Sequence, residues 1–227
     1  MKLRATPRSW LRARHAFAVF ALVAAPLAGL AWSLLVPLFT GSMADEVNDI
    51  AASSGRFVAG TYTGVLMSFL MVAAFLSMNR LLRPVAPVAS DVAALLGSIG
   101  ACFHGAVLVF QLAETAIIAA LPDRASATSI VVKLFEHPAF GLVLAPFFLF
   151  YIALAAFAVL LLTRRIVPWI IPVIILVAIP IELATPIVWK ARLFFLLLTV
   201  AFAWLAVIVS RIGADDWARR AQPELAS

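Results

Sequence analysis

Six runs of solidly apolar sequence, at 16–39, 57–78, 92–121, 139–163, 166–186 and 192–210, constrain this chain more than any other feature. Each is about as long as the twenty or so residues a helix needs to cross a bilayer. In hydrocarbon every backbone donor and acceptor must be paired within the protein, so spanning segments are helices or closed barrels. Barrel strands alternate apolar and polar residues over about ten positions, and these runs do not. With 65% hydrophobic and 12% charged residues, the chain lacks the polar coat of a soluble domain, where roughly a quarter of residues are charged. The expected fold is all-α: a polytopic six-helix transmembrane bundle with short interfacial helices on its outer face. A basic segment at 1–15 precedes the membrane domain at 16–210, and a polar tail follows at 211–227.

The first run exceeds the core of a signal peptide and leads into more membrane sequence, so it reads as an uncleaved span. The formal charge of +6 does not mark a nucleic-acid binder, because the basic residues lie in flanks and short connections. With the amino terminus inside, inner segments hold twelve Lys and Arg and outer segments five. That positive-inside bias places both termini in the cytoplasm. Arg outnumbers Lys fourteen to three, a codon signature that suggests a GC-rich bacterial genome and hence the inner membrane. Trp10, Trp169, Trp189 and Trp217 fall near the expected interfaces, as aromatic anchors do.

Two outer loops carry structure of their own. Ser42 and Asp45 have capping-box spacing, and Val47, Ile50 and Ala51 recur at helical spacing, so a short helix is expected with Asp45, Glu46 and Asp49 in water. In 122–138, Ile130, Val131, Leu134 and Phe135 share a face opposite Lys133, Glu136 and His137, which suits a helix lying on the membrane.

An ionisable group inside a span costs roughly 2.5–3.5 kcal/mol on insertion scales, which makes it a candidate for function. Three are present: His104 near mid-membrane, and Glu114 and Glu182 near the outer boundary. At about 100° per residue Gln111 falls on the same flank as His104, and Glu114 lies about 60° further round. One flank of the third span is thus a polar seam, and Glu182 on the fifth span can approach it if the seam faces the bundle. The candidate ligand-binding residues are His104, Gln111, Glu114 and Glu182, with Arg56, Lys190 and Arg192 at similar height as partners. In a structural reading, the two acids pair at headgroup level and His104 hydrogen-bonds a carbonyl. Pro172, Pro180 and Pro186 would free the carbonyls of Pro168, Leu176 and Glu182, either as a working kink or as a packing feature.

No H-E-x-x-H, G-x-S-x-G or phosphate-binding loop is present. Cys102 is alone, so neither an internal disulfide nor a thiolate cluster can form. A second mid-membrane histidine for haem is missing. No catalytic residue, metal or cofactor is expected.

The basic start, the loop ending in Ser54-Gly55-Arg56, the Leu82-Arg83-Pro84 turn, the small-residue third span and the Val167-Pro168-Trp169 step make a pattern. It resembles a broad family of uncharacterised bacterial membrane proteins of about six helices, a domain of unknown function, over about 16–210. The resemblance implies a compact membrane bundle and brings no activity and no site residues. Two roles stand open beside the bilayer itself as partner. One is binding or moving a small solute or protons through an outward-facing polar pocket. The other is a non-catalytic subunit or scaffold, contacting membrane proteins or itself through Gly97, Gly100, Ala101 and Gly105.

Overall fold

In the computed structural model, α1 (Arg8–Leu35) buries a face on which Ala21, Ala25, Gly29 and Ser33 recur every fourth residue. Such a strip of small residues lets neighbouring helices approach closely, and Phe195 fills the space beside Gly29. The structure describes residues 8–37, 41–121, 123–184 and 189–220. Beyond α1 come α2 (Met43–Ala52), α3 (Ser54–Leu82), α4 (Pro87–Ala120), α5 (Arg124–Glu136), α6 (Pro138–Phe147), α7 (Leu149–Arg164), α8 (Ile170–Ala184), α9 (Lys190–Ser210) and α10 (Ala214–Arg219). No strand occurs among the described residues.

Among the described residues, five segments are long and apolar enough to cross a membrane: α1, α3, α4, the α6–α7 pair and α9. The sixth, α8, has 15 residues, a rise of about 22 Å that is short of a hydrocarbon core of about 30 Å. The chain is an all-α polytopic bundle. Consecutive spans pack as antiparallel neighbours, and α9 returns against α1, so the order α1, α3, α4, α7, α8, α9 closes on itself.

The ring is filled rather than hollow. Phe75 stacks on Phe157 at 5.9 Å and meets Phe150 edge-on at 5.6 Å, while Met67, Met71, Leu198 and Phe202 complete the centre with no exposed surface. A second, smaller core of Val36, Val47, Ile50, Phe57, Ile118, Ala127 and Val131 lies beneath α2 and α5. Those two helices form a dome over one end of the bundle. The capping box at the start of α2 is present as the spacing predicts, with Ser42 and Asp45 exchanging hydrogen bonds. On α5 the buried face differs from the expected one: Ala127 and Val131 point inward and Ile130 outward. The α2 surface beneath it sets the rotation, which the pattern of α5 alone does not contain.

The opposite end is closed by the tail. Trp217 on α10 is 1% exposed, not an interfacial anchor, and meets the His15 ring edge-on at 5.9 Å. His15 Nε2 lies 3.0 Å from the Val209 carbonyl, and Arg220 donates to the Leu81 carbonyl at 3.3 Å. Trp10, Trp169 and Trp189 are exposed, as anchors should be.

The fourth span is broken at Phe148. Pro146 has no N–H for the Leu142 carbonyl, and the chain restarts with Tyr151 and Ile152 donating to the Phe148 carbonyl. The backbone of Leu149 and Phe150 lies so close to Gly100 that a Cβ there has no room. Gly100→Val should therefore cost about 1–3 kcal/mol of stability or more. Gly141→Ala, where nothing lies within 4 Å, should gain about 0.5–1 kcal/mol from helix propensity. Thermal unfolding in detergent reads both.

Candidate functional site

The buried face of α4 runs through Gly97, Gly100, His104, Leu108, Glu114, Thr115 and Ile118, so the polar seam does face the protein. The small residues on it are occupied within the chain. Gly97 meets Phe75 and Ala153, Gly100 meets the start of α7, and Gly105 meets Ser68. They hold α4 against α3 and α7.

His104, 6% exposed, lies opposite the α6–α7 break. Its ring stacks on Phe147 at 5.1 Å and sits 5.7 Å from Phe150 and 6.2 Å from Trp32. Nδ1 is 3.1 Å from the Ser68 hydroxyl, which also donates to the Gly64 carbonyl at 3.1 Å. A hydroxyl has one hydrogen, so Ser68 either donates to the Gly64 carbonyl and accepts from Nδ1–H, or donates to an unprotonated Nδ1. The partner is a side chain and not the carbonyl of the structural reading.

Three turns along α4 the situation is different. Glu114 has no exposed surface, and neither carboxyl oxygen has a hydrogen-bond partner among the described residues. The buried Oε1 of half-buried Gln111 is likewise unpartnered. Thr115 does not help, because its hydroxyl donates to the Gln111 carbonyl at 3.0 Å. An unpaired carboxylate charge in such a place is very costly.

The charge within reach of Glu114 is another acid, Glu46 on α2. Glu46, on α2 itself, is half-buried where the loop reading expects it fully in water. Burial pushes its carboxyl above the ordinary 4.5. Its neighbours behave oppositely. Asp45 is held low by the Ser42 backbone N–H and hydroxyl, and Asp123 by the Ser126 hydroxyl and the backbone of Ser126 and Ala125. The sequence does carry the signal for Glu46: Met43, Glu46, Val47 and Ile50 stand at i, i+3, i+4 and i+7, one helical face.

The expected cationic partners go elsewhere. Arg56 donates to the Leu34 carbonyl at 2.6 Å and Arg192 to the Ser33 carbonyl at 3.1 Å. Two arginines thus cover the C-terminal carbonyls of α1, where the helix dipole favours positive charge.

Glu182 sits on α8, which packs on α7 and α9, whereas α4 packs on α3, α6 and α7. Lys190 and the buried Tyr151 are within electrostatic reach of Glu182, and its Oε2 has no hydrogen-bond partner among the described residues. The structure brings His104, Gln111 and Glu114 onto one strip with Glu46 above it, and gives Glu182 separate surroundings. Of the proline-freed carbonyls, that of Pro168 accepts from Ile171 at 3.1 Å. Pro186 lies outside the described residues. No group of three or more His, Cys, Asp or Glu side chains able to hold a metal occurs among the described residues.

Because burial raises Glu46, the docked α2 holds the Glu46 proton more tightly than a detached α2 does. Docking is then firmest below pH 4.5 and weakens as pH rises through the raised value. Amide-exchange protection factors at Val47 and Ile50 should fall as pH rises across this range. In Glu46→Gln they should stay level.

No curated protein and no solved structure matches the chain. A family model does match, over residues 16–213, and its description is a domain of unknown function, DUF4386. With nearly the whole membrane bundle inside that match, the chain belongs to the DUF4386 family of multi-pass membrane proteins.

Proposed function

We propose that this protein binds and moves protons at a carboxyl pair formed by Glu114 and Glu46, with Gln111 beside it and His104 on the same strip deeper in the bundle. The observation that carries the reading is Glu114 itself, fully buried with both oxygens unpartnered. Structural acids in membrane proteins are paired with a cation or a donor, and here the charge in reach has the same sign. Two neighbouring carboxyls in a dry site share protons readily, because both cannot hold charge together.

The dome faces outward in this reading, with both termini in the cytoplasm of a bacterial cell and the bundle in its inner membrane. The twelve-to-five distribution of basic residues supports that orientation. A proton from outside would reach Glu46 on α2 first and Glu114 beneath it next. Glu182 stands apart, with Lys190 to counter its charge.

Purified protein in vesicles carrying an internal pH dye and a potassium diffusion potential tests the proposal. Wild-type vesicles should acidify inside faster than empty ones. Glu114→Gln should return the rate to that of empty vesicles, and Glu46→Gln should slow it. Equal rates for wild type and Glu114→Gln, both above empty vesicles, would remove Glu114 from any proton path. Wild-type rates equal to those of empty vesicles would end the reading.

A further inference from the structure

At the opposite end from the dome, Arg14 on α1 and Arg80 on α3 line one groove of about 130 Å³ together with Phe17, Ala73, Leu76 and Ser77. The two guanidinium groups are close enough to repel each other. Neither has a carboxylate partner among the described residues. The acid nearest in sequence to Arg80, Asp91, is engaged by Arg83 at 3.6 Å and by Asn79 at 2.9 Å. Ser77 is tied to the Ala73 carbonyl at 2.7 Å. Two like charges held side by side on packed helices, with no counter-ion among the described residues, make a place for an anion.

The rest of the groove limits which anion. Arg80 lies two residues from the end of α3, and Arg14 two residues before the first apolar run begins. Both are therefore at the depth of lipid headgroups. From the arginines the wall continues toward the bilayer centre over Phe17 and Leu76, which are 53% and 50% exposed. On α1 Phe20, 55% exposed with its ring 6.2 Å from that of Phe17, extends the same surface. A free phosphate would use only the charged end, whereas a lipid uses both. We infer that the Arg14–Arg80 groove is a binding site for one anionic phospholipid, its phosphate between the guanidinium groups and an acyl chain along Phe17 and Leu76. A zwitterionic headgroup brings its own cation toward the same pair and is disfavoured.

Neither arginine belongs to the Glu114 site, so this inference stands or falls independently of proton movement. Native mass spectrometry of the full-length protein, released from detergent after adding phosphatidylglycerol or phosphatidylcholine, tests it. One phosphatidylglycerol should be retained in preference to phosphatidylcholine. Arg14→Gln and Arg80→Gln should each weaken retention about fivefold, the effect of one basic residue at an anionic membrane surface. Arg80→Lys, which keeps the charge, should retain the lipid and shows that loss does not come from misfolding. Arg12→Gln, outside the groove, should change nothing. Leu76→Trp, which fills the apolar end and keeps both charges, should also weaken retention. Equal retention of the two lipids, or loss with Arg12→Gln as great as with Arg80→Gln, would overturn the site. Displacement of the lipid by inorganic phosphate, with Leu76→Trp having no effect, would reassign it to the free ion and overturn the lipid proposal.

Discussion

Inside a bilayer there is no water to finish a hydrogen bond, and this structure follows from meeting that condition almost everywhere. Thr61, Ser68, Ser77 and Thr199 turn their hydroxyls back to carbonyls four residues earlier. The last carbonyls of α1 take Arg56 and Arg192. His104 pairs with Ser68, and the broken turn at Phe148 is repaired by donors from Tyr151 and Ile152. Trp32 and Trp217 each leave an indole N–H, and Glu182 one oxygen, without a partner among the described residues, but Glu114 leaves both oxygens of a fully buried carboxyl so, with Gln111 beside it. Each unmade hydrogen bond in a buried place costs roughly 1–3 kcal/mol and more for a charged group, a cost that a purely structural position has no reason to keep.

The packing explains why Glu114 has no exposed surface. The spans join in sequence order and close into a ring because α9 returns to α1, and aromatic and methionine side chains fill its centre. Small residues make this closeness available: the Ala21, Ala25, Gly29, Ser33 strip on α1, Gly60 and Gly64 on α3, and the Gly97, Gly100 pair on α4. Beneath α2 and α5 the second core sits directly over the Glu114 turn. One small amphipathic helix therefore both packs over the acid and carries Glu46, the charge within electrostatic reach of it.

Much of this was legible in the sequence. The apolar runs give the spans because length and hydropathy alone decide whether a helix can cross hydrocarbon. The Ser42–Asp45 cap is legible because capping is local, and helical phase is enough to place His104 and Glu114 on an inward face. What was not legible depends on neighbours. Glu46 stands in an acidic cluster, and although Met43, Val47 and Ile50 share its helical face, how far it is covered depends on the second core packed beneath α2. Trp217 reads as an interfacial anchor until α10 folds back over His15. Arg56 and Arg192 look like partners for acids at the same depth, but the end of α1 presents its carbonyls closer. The separation of Glu182 from Glu114 comes from ring order, which no span contains by itself.

The central claim is that the Glu114 position is sealed beneath the dome. Cysteine accessibility reads this directly, in protein where exposed Cys102 is replaced by Ser and a single cysteine is placed at 114 or at the exposed Asn48 of α2. A membrane-impermeant maleimide applied from the dome side should label Asn48→Cys readily and leave Glu114→Cys unlabelled until the protein is unfolded. Labelling of Glu114→Cys at a rate comparable to Asn48→Cys would mean an open, wet cavity and would contradict the account.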